Sequence, residues 1–210
     1  MIQGLISEYS GKKKLIKKRL KEFKAVWKRP DKKIFSELCF CICTPQSRAI
    51  YCDKAIAGLE RSGVLYRGNT RQIKAGLKAV RFPNNKSRYI VEARGIFTEN
   101  GSLRIKKKLN ASDAYKSRAW LVRNVKGLGL KEASHFLRNI GLGEELAILD
   151  VHILKNMIKC GIIREIPKCV SAKCYRSLEE KLKKFSKKVN IPLAELDLLF
   201  WSSETGEVFK

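Results

Sequence analysis

The sequence predicts an all-α protein. Apolar residues recur at intervals of three and four along most of the 210 residues, which is the spacing of the buried stripe of an amphipathic helix. No stretch of four or more alternating strand-type residues recurs with hairpin turns. Hydrophobic residues make up 44% of the chain, so it can bury a core although its formal net charge is +25.

Two helices are predicted before residue 44. The first is strongly basic, and its apolar stripe has intervals of four, three and four residues: Ile16, Leu20, Phe23 and Trp27. Pro30-Asp31 is expected to end this helix and to cap the next one, because aspartate is a favoured N-cap residue. The second helix is expected to bury an apolar face of its own: Phe35, Leu38, Cys39 and Ile42.

Proline and glycine divide the middle of the chain into further helices. Thr44-Pro45 interrupts the second helix, and a third is expected from Gln46 to Gly63. A short helix with three apolar residues follows: Ile73, Leu77 and Val80. The segment 82–85, Phe-Pro-Asn-Asn, is predicted to form a turn before a helix that starts at Lys86.

The C-terminal half is predicted to be helical as well. Ser112 is expected to cap a helix that turns three residues inward, namely Tyr115, Ala119 and Val122. Three more helices are expected near the end of the chain, over residues 151–160, 171–189 and 192 to about 201.

Positive charge is concentrated in two regions of the chain. Residues 1–30 contain ten basic and two acidic residues, hence +8, and residues 61–141 contain nineteen and four, hence +15. Residues 142–210 contain twelve and ten, which leaves only +2. A surface adapted for solubility or heat would mix the two signs. The uneven distribution therefore favours a polyanionic partner, and nucleic acid above all.

Membrane and secreted proteins are disfavoured classes. No apolar run approaches the ~20 residues that span a bilayer, and no signal-peptide pattern opens the chain. A cytoplasmic protein that associates with the nucleoid through DNA is expected. Its seven cysteines are then expected to be reduced and buried. Cys160, Cys169 and Cys174 are spaced too irregularly for a zinc module, so no metal cofactor is predicted.

The most informative segment is 122–141, VRNVKGLGLKEASHFLRNIG. One predicted helix ends at the sequence 126–129, Lys-Gly-Leu-Gly, and another begins at Leu130. Glycine permits positive φ and close approach of a neighbour, and a helix N-terminus attracts phosphate. The segment resembles the helix-hairpin-helix motif of DNA repair proteins. The resemblance implies that Lys126, Gly127 and Gly129 bind the DNA backbone, with a monovalent cation on carbonyl groups near Gly127.

Lys131 and Asp150 extend the resemblance from DNA binding to catalysis. Their setting, G-x-G-x-K followed by L-D-x-H, resembles the helix-hairpin-helix glycosylase superfamily. The resemblance implies that the Lys131 amine attacks the sugar C1′, expels the base and becomes a Schiff base, which permits strand cleavage by β-elimination. An aspartate carboxylate can stabilise the cationic sugar or take up the amine proton. The alternatives are that Asp150 is only a helix cap and Lys131 only a solvated lysine.

Four blocks of sequence resemble the archaeal-type, or second-type, 8-oxoguanine DNA glycosylase: residues 37–47, 131–141, 195–201 and 204–210. Endonuclease III and the adenine glycosylase share the hairpin but usually carry four cysteines for an iron–sulfur cluster. The C-terminal cysteines of this chain have different spacing, so the resemblance implies an enzyme without a cofactor.

The resemblance also assigns residues to recognition of the lesion. Lys210, the last residue, is implied to distinguish 8-oxoguanine from guanine, because its carboxylate or carbonyl can accept the N7–H that oxidation creates. Phe82 and Trp201 are implied to sandwich the flipped base, and Gln46 to enter the gap left in the duplex. The alternatives are a frayed terminus for Lys210, a core position for Trp201 and a helix start for Gln46.

The predicted architecture has two helical subdomains with the active cleft between them. One covers residues 31–130 and ends in the hairpin, and the other combines 1–30 with 131–210. The expected activity is that of a glycosylase and abasic-site lyase, working as a monomer on duplex DNA that contains 8-oxoguanine or abasic sites. The alternatives are a glycosylase of the same superfamily for an oxidised pyrimidine or a mismatch, and a noncatalytic DNA-binding protein.

Overall fold

A computed structural model describes residues 2–210 and is almost entirely helical. Its helices in chain order are α1 (Ile2–Trp27), α2 (Asp31–Cys43), α3 (Ala49–Arg61), α4 (Val64–Arg67), α5 (Thr70–Gly76), α6 (Pro83–Phe97), α7 (Ile105–Lys108), α8 (Ala114–Asn124), α9 (Leu130–Asn139), α10 (Val151–Lys159), α11 (Ala172–Val189) and α12 (Leu193–Thr205). Strands β1 (Thr98–Glu99) and β2 (Ser102–Leu103) pair antiparallel, with Thr98 opposite Leu103. The all-α prediction is confirmed.

The buried apolar residues form two clusters. The first contains residues of α2 to α9, from Ile34 to Leu146. The second contains Ile16, Leu20 and Phe23 of the α1 stripe together with residues from Ala147 to Val208, whereas Trp27 packs against the first. The apolar face of α9 belongs to the first cluster, whereas the sequence analysis grouped residues 131–210 with the second subdomain. The subdomain bounds 31–130 and 1–30 plus 131–210 stay a prediction.

Helix α8 turns inward a different face from the predicted one. Its N-cap is Asp113, not Ser112, and the Asp113 side chain accepts a hydrogen bond from the Lys116 amide. The residues expected inside are all exposed: Tyr115, Ala119 and Val122. The buried residues are Ala114, Ser117, Arg118 and Leu121. The prediction was wrong because Arg118 is buried in an ion pair with Glu179, and apolar periodicity does not detect a charged core residue.

The turns before α3 and before α6 also differ from the prediction. The helix expected from Gln46 begins at Ala49, and Gln46 lies in a turn with φ 55°. Helix α6 begins at Pro83 instead of Lys86, and its N-cap Phe82 has φ 57°. A positive φ is unfavourable for residues with a side chain, and no sequence pattern predicts it at Gln46 or Phe82.

Asp31 does not cap α2, whose N-cap is Pro30. Its Oδ1 accepts a hydrogen bond of 2.9 Å from the Lys106 amide instead, so it supports α7 in the first cluster.

Helix α5 ends at Gly76, so the buried Leu77 and Val80 follow the helix and do not belong to it. The last three predicted helices are present as α10, α11 and α12, the last of which ends four residues later than expected.

All seven cysteines are free thiols. The prediction that they are buried holds for Cys39, Cys41, Cys43 and Cys52, but Cys160 and Cys174 are partly exposed and Cys169 is exposed. Cys169 precedes α11, where the chain runs over the surface. Within residues 2–210, no helix combines the length and the hydropathy needed to cross a bilayer.

Candidate active site

A cavity of about 1020 Å³ brings together five of the residues that the sequence analysis singled out. It is lined by residues of the α2–α3 turn, of α9, α10 and α12, and of the C-terminus. The five predicted residues in its lining are Gln46, Lys131, Asp150, Trp201 and Lys210. The other four predicted residues, Phe82, Lys126, Gly127 and Gly129, do not line it.

Lys131 lies in the first turn of α9 and is about one-quarter exposed. Its ammonium group pairs with Glu132, with 3.0 Å between Nζ and Oε1. The other oxygen of Glu132 accepts a hydrogen bond of 3.3 Å from the Gly129 amide, so one carboxylate joins the hairpin to the lysine. The sequence analysis missed Glu132. Its position three residues after the N-cap is a capping-box position, which is the signal that could have found it.

Asp150 both caps a helix and lines the cavity. Its Oδ1 accepts a hydrogen bond of 2.8 Å from the Ile153 amide, which makes Asp150 the N-cap of α10. The alternative role of Asp150, a helix cap only, therefore accounts for one of its two carboxylate oxygens. The second oxygen accepts no hydrogen bond from residues 2–210 and remains free to interact with a ligand.

Three buried ionisable side chains form one wall of the cavity: His135, Arg138 and Asp197. Arg138 Nη1 is 3.2 Å from Asp197 Oδ2. Burial raises the pKa of Asp197 to about 7, although Arg138 opposes the shift. Burial, together with the charges of Arg138 and Lys131, holds the pKa of His135 well below its usual value, so this imidazole is neutral.

None of these three residues was predicted as part of the site. Lys131, His135 and Arg138 are spaced by four and three residues, so they share one face of α9, and that spacing was the available signal. Nε2 of His135 and Nδ1 of His152 are buried without a hydrogen-bond partner among residues 2–210.

The C-terminal residue is anchored, not frayed. Lys210 Nζ lies 2.9 Å from Glu37 Oε1 and 2.7 Å from Asp53 Oδ1, and it stands 4.5 Å from the centroid of the Phe40 ring. Burial alone would lower the pKa of Lys210, but the two carboxylates outweigh it and raise the pKa. Residues of α2 and α3 thus fix a side chain that lies more than 150 positions away in sequence.

Two aromatic rings line the cavity together, but they are not the predicted pair. Trp201 lies 6.4 Å from Phe209 between ring centroids, with 32° between the ring planes. Phe82 lies outside the cavity lining, is half exposed and carries the Arg81 guanidinium over its ring at 5.5 Å. Contact between Phe82 and a flipped base stays a prediction. The sequence analysis missed Phe209, although it lies in the block 204–210 that carries the family resemblance.

The hairpin needs glycine at only one of its two glycine positions. Gly127 has φ 86°, and a Cβ there would come within 2.7 Å of Tyr89 Cδ2. Gly129 has φ −90°, which any residue adopts, and is the N-cap of α9. Lys126 is exposed and pairs with Glu92 at 3.0 Å.

No group of three His, Cys, Asp or Glu side chains placed for a metal ion occurs in residues 2–210. A monovalent cation on the hairpin carbonyls stays a prediction.

Comparison with known proteins identifies the family of this chain. The family model described as 8-oxoguanine DNA glycosylase matches residues 16–191. The chain belongs to the 8-oxoguanine DNA glycosylase family. A relative from Fusobacterium nucleatum, named 8-oxoguanine DNA glycosylase/AP lyase, is 45% identical over 196 residues, which is 92% of this chain and 90% of the relative. A relative of the same name from Methanocaldococcus jannaschii is 37% identical over 207 residues, 94% of this chain and 93% of the relative.

Solved structures of the family have the same fold. The 8-oxoguanine DNA glycosylase of Thermotoga maritima matches with a TM-score of 0.87 at 33% identity, over 100% of this chain and 98% of that one. The Methanocaldococcus jannaschii 8-oxoguanine glycosylase/lyase in complex with a 15mer DNA containing 8-oxoguanine also matches with a TM-score of 0.87. That match has 34% identity and covers 98% of this chain and 99% of the other. Family membership thus extends over nearly the whole chain.

Proposed function

We propose that this chain is a bifunctional enzyme that excises 8-oxoguanine from duplex DNA and then cleaves the strand at the abasic site. The observation that carries the proposal is the shared cavity, in which Lys131 and Asp150 lie with Trp201 and the anchored C-terminal residue Lys210. A nucleophile, a carboxylate, an aromatic surface and an acceptor for N7–H are the groups that this reaction requires.

Lys131 is proposed as the nucleophile. Its neutral amine attacks C1′ of the damaged nucleotide, so that an N–C1′ bond forms while the bond from C1′ to the base breaks and the base leaves with a proton. Opening of the sugar gives a Schiff base, and loss of the C2′ proton expels the 3′ phosphate by β-elimination. The Glu132 carboxylate pairs with the ammonium form, so this ion pair must be released before attack.

Asp150 is proposed to stabilise the positive charge that develops on the sugar. Because one of its oxygens caps α10, the carboxylate is held in a defined orientation, and its second oxygen is available to the substrate. The same oxygen can accept the proton that the Lys131 amine loses on attack.

Lys210 is proposed to recognise the lesion through its main chain. Oxidation converts N7 of guanine from an acceptor into a donor, and a main-chain oxygen of Lys210 would accept a hydrogen bond from that N7–H. The ion pairs of the Lys210 side chain with Glu37 and Asp53 support the proposal, because an acceptor discriminates only if its position is fixed. Trp201 would stack on the flipped base, with Phe209 beside it.

Duplex DNA is the partner of this activity. We propose that Lys126, Gly127 and Gly129 bind the phosphate backbone at the N-terminus of α9, and that Gln46 fills the gap in the duplex. The relatives named above are glycosylase/AP lyases, which disfavours both a noncatalytic DNA-binding protein and a different lesion. A monomeric state and a cytoplasmic location stay predictions.

Borohydride trapping tests the proposal on duplexes that carry 8-oxoguanine, guanine or an abasic site. Wild type should give a covalent adduct with 8-oxoguanine and with the abasic site but not with guanine, and Lys131→Gln should give none. Lys78→Gln is the matched control, because it removes an exposed lysine with the same change in net charge at a position without a proposed role. An adduct that persists in Lys131→Gln would exclude Lys131 as nucleophile, and an adduct confined to the abasic site would exclude 8-oxoguanine as substrate.

A further inference from the structure

Lys86 is a buried lysine whose ammonium group, within residues 2–210, is bound only by neutral oxygens. It lies in the first turn of α6, and its side chain is 4% exposed. Burial lowers its pKa, as expected for a cation removed from water. A buried cation without a carboxylate is costly compared with an apolar side chain of similar size. Its presence therefore needs a reason beyond packing.

The hydrogen bonds of Lys86 converge on the turn between α2 and α3. Nζ donates to the carbonyl oxygens of Cys43 and Pro45, at 2.7 Å each, and to Ser47 Oγ at 3.0 Å. These bonds use all three N–H donors of the ammonium group. Cys43 is also the last residue of α2, so the cation lies at the negative end of that helix.

Gln46 lies between two of these acceptors and lines the active cavity. Its φ of 55° is unfavourable for a residue with a side chain, so its surroundings must hold it there. Ser47 contributes a second tie, since its Oγ accepts a hydrogen bond of 3.0 Å from the Arg81 amide. The turn is thus bound to the segment that precedes α6 as well as to Lys86.

We propose that Lys86 is a positioning residue for excision, which holds the turn 44–47 so that Gln46 enters the gap left by the flipped base. This inference rests on the proposed function and on the role proposed for Gln46. Lys86 does not touch the reacting atoms and acts through Gln46. An apolar residue could fill the same space but would donate no hydrogen bonds to the turn, so Gln46 would relax to a negative φ.

A double-mutant cycle tests this inference. Single-turnover excision of 8-oxoguanine is measured at saturating enzyme for wild type, Gln46→Ala, Lys86→Met and the double variant. We expect each single change to slow excision roughly ten- to a hundredfold, because small displacements of a group that orders the substrate have effects of this size. The double variant should be no slower than the slower single variant, because both remove the same contribution. The inference would be overturned if the two rate reductions multiply in the double variant, or if Lys86→Met excises at the wild-type rate.

Two further variants make the result decisive. Lys78→Met removes an exposed lysine with the same change in net charge and should leave the excision rate within about twofold, as surface substitutions usually do. If Lys86→Met does not fold, Ser47→Ala replaces it in the cycle. This change removes one oxygen that accepts a hydrogen bond from Lys86 but leaves the buried lysine in place. The rate of the double variant with Gln46→Ala is then compared with the two single variants in the same way. Excision by wild type and its loss in Lys131→Gln test the proposed function separately. If wild type excises 8-oxoguanine but the rate reductions of Gln46→Ala and Lys86→Met multiply in the double variant, only the role of Lys86 is rejected.

Discussion

Arg118 on α8 and Glu179 on α11 form a buried two-pronged ion pair, with Nη1 2.7 Å from Oε1 and Nη2 2.8 Å from Oε2. The pair is extended at both ends, because Arg118 also donates to Ser134 Oγ and Glu179 also accepts from the Ala147 amide. Since α8 belongs to the first apolar cluster and α11 to the second, these bonds connect the two. Ser134 lies on α9, so the network also contacts the helix that carries Lys131.

Loss of one partner of this pair should destabilise the whole protein. Glu179→Gln and Arg118→Met are each expected to lower the free energy of unfolding by about 3–5 kcal/mol, because each leaves a buried charge or donor unpaired. Denaturant unfolding measures the change. Glu180→Gln, which alters an exposed residue next in sequence, is the control and should change stability by less than about 0.5 kcal/mol. Equal effects at the two neighbouring positions would contradict the importance of the pair.

Gly127 should be far less tolerant of substitution than Gly129. Gly127→Ala combines a positive φ with a contact of 2.7 Å to Tyr89, so we expect a loss of about 1–3 kcal/mol in stability and weaker DNA binding. Gly129→Ala has an ordinary φ and meets only Glu132 Oε2, at 3.2 Å, so its effect should be smaller. Denaturant unfolding and titration with duplex DNA at fixed salt compare the two. Equal losses would show that the backbone conformation is not what requires glycine.

The carboxylates that hold Lys210 should control discrimination against guanine. In Glu37→Gln and Asp53→Asn the Lys210 side chain loses an ionic partner, so the ratio of excision rates for 8-oxoguanine and guanine should fall on the order of tenfold, as loss of a charged hydrogen bond predicts. Deletion of Lys210 should have a larger effect. Glu99→Gln, which alters a partly exposed carboxylate that pairs with Lys107 and Lys108, is the control. An unchanged ratio after deletion of Lys210 would refute the role proposed for the terminus.

His135 should make stability depend on pH. Its pKa is well below 6.5 in the folded protein and near 6.5 in the unfolded chain, so the unfolded state binds the proton first as the pH falls. The stabilisation that His135 contributes is therefore complete above pH 6.5 and decreases below it, by up to about 1.4 kcal/mol per pH unit.

Unfolding free energies at pH 7.5 and 5.5 test this sign. His135→Gln should lose less stability than wild type over that interval, because glutamine does not titrate. Asp197, whose pKa burial raises to about 7, acts in the opposite direction: its contribution decreases as the pH rises from 4 towards 7. Asp197→Asn should therefore steepen the loss of stability on acidification. A steeper loss in His135→Gln than in wild type would show that the imidazole is not held neutral.

Most of the helices and five residues of the candidate site could be predicted from the sequence. Apolar periodicity located α1, α2 and the last three helices, because the buried side of a helix requires apolar residues at intervals of three and four in the local sequence. The hairpin, Lys131, Asp150 and Lys210 were identified by short motifs and by resemblance to a family. Five of the predicted residues then line one cavity.

Only the tertiary structure decided which charged residues are buried and what they touch. Arg118 and Glu179 are 61 positions apart, and Lys210 is 173 positions from Glu37. Periodicity reports which face of a helix is apolar but not which helices meet, so it cannot reveal an ion pair formed between distant segments. The positive φ of Gln46 and the buried Lys86 behind it have the same origin, since contacts made after the helices pack impose a backbone conformation that the local sequence disfavours.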